Sequence, residues 1–317
     1  PKEGLALING TQLMLGYGVI SMLRIERLLE WADAIGAWSL EAWSGLPSPF
    51  DHDVHRIRHQ EGAIAVAESV RKWLDGSEKM STPKDHVQDP YSFRCIPQVH
   101  GASRDVISAA RKLFENEVNA VTDNPLVFPE EDKVVSGGNF HGQPLALTLD
   151  HLTLAIHELA SISERRTFKL MSGTRSLPAF LAKDPGLHSG YMIAQYTAAS
   201  LVSMNKQLTT PSSADNADSS NGQEDHVSMG ANAALKLWKV IDNAEQVLAI
   251  EALCAAQASD LGGMAGLGQM SPKLVKLQES LRESVPFLSQ DAYMAPLLGD
   301  ALSWIKNNLP EDIDKCH

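Results

Sequence analysis

The chain has 317 residues, 44% hydrophobic and 21% charged, with a formal net charge of −12 and a sequence pI near 5.4. This is an ordinary soluble composition, and an acidic chain without a basic stripe argues against a nucleic-acid partner. No uninterrupted apolar run reaches the ~18 residues of a membrane span, and no signal-peptide pattern is present, so no membrane partner is expected.

Length alone suggests about two domains of roughly 150 residues each. The chain begins at Pro1 and runs directly into Glu3-Gly4-Leu5-Ala6-Leu7-Ile8-Asn9-Gly10, so a preceding segment is expected. A first helical stretch covers roughly Leu5 to Ile35, with Leu13, Ile20, Leu23 and Leu28 inward. Asn9-Gly10-Thr11-Gln12 interrupts it: a buried asparagine needs partners, and a mid-helix glycine costs about 1 kcal/mol. Shorter helices fit Arg56 to Leu74, Ala102 to Val118 and Tyr191 to Lys206. Leu126-Val127-Phe128 and Lys133-Val134-Val135 flank Pro129-Glu130-Glu131-Asp132 as a small hairpin. Leu145, Leu149, Leu152, Ile156, Leu159 and Ile162, spaced 4, 3, 4, 3 and 3, form one stripe on a helix from about Pro144 to Met171. A second long helix starts at Ala231, carries Leu237, Val240, Ala244, Val247, Leu248 and Ala255 on one face with Glu251 interrupting, and ends at Gly262-Gly263. Helices this long pack lengthwise. The expected fold is therefore mainly α, one elongated long-helix unit over 1–317, with a small β hairpin in a polar loop. The two longest helices are expected side by side.

The polar loops Ser77 to Tyr91, Val121 to Pro144 and Thr209 to Ser228 hold the unusual chemistry. Pro90 disfavours helix at Asp89, so Tyr91-Ser92-Phe93-Arg94-Cys95 reads as a loop. Arg94 offers a donor fork suited to a carboxylate, with Tyr91 beside it; its bland reading is an ordinary Arg–Asp pair. Gly137 and Gly138 permit positive φ in a turn that presents Phe140 and His141; the bland reading is a hairpin exit. His52, His55 and His59 invite a zinc site but lack the partners for one, and a solvated helix start is preferred. His100, His151 and His157 read as structural. Cys95, Cys254 and Cys316 are odd in number and lack Cys-x-x-Cys. They exclude a disulfide framework and a cysteine zinc site and fit a reducing cytoplasm. No metal is expected.

Six blocks occur together in order: Glu3-Gly4-Leu5-Ala6-Leu7-Ile8-Asn9-Gly10-Thr11-Gln12, then Gln88-Asp89-Pro90-Tyr91-Ser92-Phe93-Arg94-Cys95-Ile96-Pro97-Gln98, Asn119-Ala120-Val121-Thr122-Asp123-Asn124-Pro125, Gly137-Gly138-Asn139-Phe140-His141-Gly142, Gly190-Tyr191-Met192-Ile193-Ala194-Gln195 and Gln223-Glu224-Asp225-His226-Val227-Ser228-Met229. Over essentially its whole length the chain resembles the C-terminal part of the aromatic amino acid ammonia-lyase family, in its histidine branch.

The resemblance implies long central helices pairing across subunits into a homotetramer with shared active sites. It implies elimination of ammonia from L-histidine to give urocanate. The electrophile implied is a methylidene-imidazolone group made autocatalytically from an Ala-Ser-Gly tripeptide, and none occurs in residues 1–317. The chain alone is therefore expected to be inactive yet to self-associate. By motif, Asn9 and Gln88 would contact the prosthetic group or the substrate amine and carboxylate, Arg94 the substrate carboxylate with Tyr91 as its neighbour, and Phe140 would line the pocket. Glu224 would meet the imidazole as an acceptor or acid/base group. In members acting on phenylalanine or tyrosine the block at Gln223-Glu224-Asp225-His226 reads Asn-Gln-Asp-Val. A carboxylate facing a phenyl ring would be a desolvated, unpaired charge, so Glu224 favours histidine. The alternatives are a phenylalanine or tyrosine ammonia-lyase or aminomutase, and a non-catalytic helical assembly fragment.

Overall fold

The computed structural model describes residues 2–264 and 268–315. Thirteen helices are described: α1 (Lys2–Asn9), α2 (Gln12–Ala42), α3 (His52–Arg56), α4 (Glu61–Trp73), α5 (Glu78–Ser81), α6 (Tyr91–Arg94), α7 (Ile96–Val118), α8 (Gln143–Leu170), α9 (Met192–Leu208), α10 (Gly230–Met264), α11 (Pro272–Arg282), α12 (Met294–Asn307) and α13 (Pro310–Lys315). Among the described residues the one sheet is the antiparallel pair β1 (Leu126–Phe128) and β2 (Lys133–Val135), with Leu126 opposite Val135 and Phe128 opposite Lys133. The mainly α fold and the hairpin are as the sequence led us to expect.

The residues group into two compact units. Unit 1 holds Pro1–Ile25, Val106–Ile156 and Lys206–Ile241; unit 2 holds Glu26–Asp105, His157–Asn205 and Asp242–His317. In unit 1 the α8 and α10 portions lie together: Lys236 Nζ is 3.1 Å from Asp150 Oδ1, and a Cβ on Gly230 would stand 3.4 Å from Ala146 Cβ. Phe114 of α7 presses its ring on Gly18 of α2, where a Cβ would come within 2.8 Å. Tyr17 meets Trp238 edge-on at 5.4 Å.

In unit 2 the same two helices pair through a buried ion pair. Arg166 of α8 donates Nε to Glu251 Oε1 of α10 at 2.5 Å and Nη2 to Oε2 at 2.8 Å, and Ser39 Oγ donates to Oε1 at 2.6 Å. Glu251, which interrupts an apolar stripe in the sequence, is thus a fully buried carboxyl group met by three donors. Asp33 accepts from His100 Nδ1 at 3.0 Å and from Arg104 Nη2 at 2.8 Å. Burial, followed in size by the Asp33 hydrogen bond that opposes it, sets the His100 pKa below the ordinary imidazole value. The neutral ring gives Nδ1–H to Asp33 and leaves Nε2 to accept from Arg166 at 3.4 Å.

Several expectations need correction. The first stretch is two helices, α1 and α2, bent by 62° at Gly10-Thr11. The polar run interrupts the stretch as expected, ending α1 and opening α2. Leu13, Ile20 and Leu23 are 63%, 50% and 61% exposed, and of the four inward-assigned residues Leu28 alone is buried. Arg56 to Leu74 is likewise split, because His59 adopts a left-handed φ of 59° between α3 and α4; His55 is buried and bonds the Pro49 carbonyl at 2.8 Å. Helix α10 runs to Met264, one residue past the Gly262-Gly263 pair expected to end it. Among the described residues one helix, Gln143–Leu170, is long and apolar enough on average to cross a membrane, although its apolar run is interrupted; 61% of its most apolar window is buried inside the protein, as in a core helix. Cys95 and Cys254 are free; Cys316 lies outside the described residues.

Candidate active site

Asn9, Phe140 and Glu224 belong to unit 1; Gln88, Tyr91 and Arg94 belong to unit 2. In unit 1 the segments carrying the first three are tied together. Asn9 is exposed at the last position of α1. Just beyond the bend, Thr11 Oγ1 donates to Glu117 at 2.9 Å and Gln12 Nε2 to Thr122 Oγ1 at 3.3 Å. Met14 of α2 lies against both Gly142 and Gly230, where a Cβ would come within 2.5 Å of its sulfur. A side chain at either glycine would have to displace the end of the Met14 side chain.

Phe140 follows a turn closed by His141 N–H donating to the Gly138 carbonyl at 2.9 Å. Neither Gly137 nor Gly138 takes a positive φ, so the turn does not use the freedom expected of them; open space around both is what the missing side chains leave. His141 Nε2 donates to the His226 carbonyl at 2.9 Å, with the two rings 5.7 Å apart. This bond joins the Phe140 turn to the Glu224 loop.

The Glu224 loop is built on turn chemistry. Ser220, Asn221 and Gly222 take φ of 51°, 59° and 85° in succession, two of them side-chain-bearing residues in the left-handed region. The turn is closed by a two-way backbone bridge between Ser219 and Glu224 at 3.1 and 3.3 Å. Asn216 braces the far side, accepting from Val227 N–H at 2.8 Å and donating to the Asp225 carbonyl at 3.0 Å. Glu224 is exposed, and Ser219 Oγ donates to its Oε2 at 2.6 Å. Hydrogen bonds from Ser219 and then Ser220 hold its carboxyl below the usual range, so it is an anion at neutral pH.

In unit 2, Tyr91 and Arg94 form one turn of helix, α6, not the loop expected from the sequence. Pro90 excludes helix from the residue before it, not from the residue after. The Arg94 guanidinium lies 4.7 Å over the Tyr91 ring. Among the described residues no carboxylate pairs with Arg94, its buried Nε has no hydrogen-bond partner, and Ser92 Oγ and Gln98 Oε1 are buried and unpartnered as well. The ordinary Arg–Asp pair is therefore absent. Unsatisfied buried polar atoms cost about 1–3 kcal/mol each, and a cation kept without a partner points to a bound anion.

Asp89 is the residue of this segment that sequence reading passed over. Its side chain is wholly buried, accepts from Leu46 N–H at 2.6 Å and from Arg175 Nη2 at 3.2 Å, and lies 3.1 Å from His86 Nε2. Behind α6, Phe93 stacks on Trp43 at 5.3 Å and 14°. Asp89 and Phe93 fix the backbone that bears exposed Gln88 and Tyr91. The invisible signal was tertiary: nothing in the order of residues links Asp89 to Leu46 or Arg175.

A sequence model of the family described as aromatic amino acid lyase matches residues 1–283. The chain belongs to the aromatic amino acid lyase family. It is 52% identical over 296 residues to a histidine ammonia-lyase of Anaeromyxobacter sp. (strain K), covering 92% of this chain and 58% of that protein. The crystal structure of histidine ammonia-lyase from Trypanosoma cruzi superposes with a TM-score of 0.91 at 41% identity, over 99% of this chain and 59% of that one. A tyrosine aminomutase from Streptomyces globisporus gives a TM-score of 0.91 at 36% identity, over 99% and 64%. The chain spans about three-fifths of the length of the curated relatives it matches. Among its described residues no group of three or more His, Cys, Asp or Glu is placed to hold a metal.

Proposed function

We propose that this chain supplies part of the active site of an enzyme that eliminates ammonia from L-histidine to give urocanate. Unpaired Arg94 carries the reading. A half-exposed guanidinium whose buried Nε has no partner, with Tyr91 against it, suits the carboxylate of an amino acid, bound by two parallel hydrogen bonds. Glu224 supplies the second half of recognition: its anion accepts from an imidazole N–H, whereas a phenyl ring would leave it unpaired. The histidine ammonia-lyases of similar sequence support this choice over the aminomutase reading, which rests on the Streptomyces globisporus structure.

The family's methylidene-imidazolone group forms from Ala-Ser-Gly, and residues 1–317 contain none; a longer protein would supply it. The side chains present suit such a group. Asn9 and Gln88 are exposed amides free to donate to its carbonyl oxygen, and half-buried Phe140 offers an apolar wall. When bound, the group supplies the electrophile that activates the substrate amine. The chain's own residues do the rest. Arg94 orients the carboxylate, Tyr91 stands beside it as a phenol able to exchange a proton, and Glu224 holds the ring. The α-amino group leaves as ammonia and one β-proton is lost, so histidine gives urocanate and ammonia with atoms in balance.

A homotetramer with shared active sites is part of the proposal. Leu13, Ile20 and Leu23 form an exposed apolar row on α2, and contiguous apolar surface of this kind marks an interface. Free Cys95 and Cys254 suit the cytoplasm, its proposed location. The test is turnover by this chain joined to its preceding segment, wild type against Glu224→Gln. Urocanate from the wild type and a severe loss in the variant support the reading; equal rates refute the role of Glu224.

A further inference from the structure

Nothing in the family resemblance assigns a role to Ser219, yet it is the nearest partner of the carboxylate on which histidine recognition depends. Its hydroxyl donates to Glu224 Oε2 at 2.6 Å, and its backbone exchanges both hydrogen bonds with Glu224. The three left-handed residues between them bring the chain back on itself, so that a residue five positions earlier in sequence faces the carboxylate. An exposed glutamate on a loop ordinarily samples several rotamers; a hydroxyl fixed by its own backbone bridge removes that freedom before substrate arrives. The loop is held from outside as well, by Asn216 on one side and by the His141 bond to the His226 carbonyl on the other.

We propose that Ser219 is a positioning residue for Glu224, fixing one carboxylate oxygen so that the side chain meets the imidazole of L-histidine as an oriented anion. The inference rests on the proposed function for its catalytic consequence and on the loop geometry for the contact itself. Hydrogen bonding to the ionised form also favours that form, in keeping with the depressed Glu224 titration, whose causes are first Ser219 and then Ser220, with no charged group contributing. The titratable groups nearest in sequence are Asp218, Asp225 and His226, and His141 meets the loop at His226; none of them is among the causes of the Glu224 shift.

The test uses Ser219→Ala and Ser219→Thr in the protein extended by its preceding segment. Two readouts are taken: the pH profile of kcat/KM for L-histidine, and the Glu224 carboxyl titration followed by carbon NMR, which needs no activity. Ser219→Ala is expected to lower kcat/KM about tenfold, as for loss of one charge-assisted hydrogen bond, to move the acid limb to higher pH and to raise the Glu224 pKa. Ser219→Thr, which keeps the hydroxyl, is expected to restore all three. A Glu224 titration identical in wild type and Ser219→Ala overturns the inference whatever the activity. A shifted titration with wild-type protein that makes no urocanate upholds the contact and overturns the proposed function instead.

Discussion

Arg94→Ala separates a ligand-binding arginine from a structural one. In the free chain the Arg94 guanidinium lies 4.7 Å over the Tyr91 ring, a contact worth about 0.5–1 kcal/mol for a partly exposed cation–π pair. Against this stands its buried Nε without a partner, a cost of about 1–3 kcal/mol. Removing the side chain removes both, so folding stability is expected to change by no more than about 1–2 kcal/mol and not necessarily downward. Turnover behaves differently. A bidentate bond to a substrate carboxylate is worth about 1.5–3 kcal/mol, so kcat/KM for L-histidine is expected to fall by about 10- to 150-fold. The assay pairs urocanate absorbance with a thermal melt on the same preparation of the extended protein. A large loss of Tm with unchanged kcat/KM would refute the reasoning and make Arg94 an ion-pair residue of the fold.

Three further outcomes follow from the buried chemistry and the exposed row. Glu251→Gln breaks the ion pair with Arg166, both side chains wholly buried, and is expected to cost about 3–5 kcal/mol and to lower Tm by roughly 6 °C or more; an unchanged melt would show the pair to be dispensable. His100 titrates below its ordinary value of 6.5 when folded, so the unfolded chain takes up the proton first. Stability is present above that pH and declines as pH falls beneath it, and His100→Gln is expected to flatten the slope of Tm against pH over that range. Leu23→Glu, at an exposed apolar position on α2, is expected to reduce the mass measured by light scattering relative to the wild-type chain; equal masses would place the interface elsewhere.

The long helices were legible because burial imposes a period. Leu145 to Ile162 and Leu237 to Ala255 lie inside, and the one residue that broke the second stripe, Glu251, proved to be paired rather than exposed. Leu13, Ile20 and Leu23 misled for the same reason: an apolar row reads alike whether it faces a core or a surface awaiting a partner. Breaks set by single residues were harder to read. His59 at positive φ divides α3 from α4, and nothing in its type forbids a helix there. At the candidate site, the residues proposed to meet the ligand were readable as motifs, while those that hold them were not. Asp89 reaches Leu46 and Arg175 across the sequence, and Ser219 reaches Glu224 only because three left-handed residues intervene.

The most direct test of the account is substrate choice. The chain, completed to the length of a full family member, is supplied separately with L-histidine, L-phenylalanine and L-tyrosine, and both ammonia and the unsaturated acid are measured. The account predicts urocanate and ammonia in equal amounts from L-histidine, with little or no product from the other two. Deamination of phenylalanine or tyrosine in preference to histidine, or a β-amino acid in place of an unsaturated one, would contradict it.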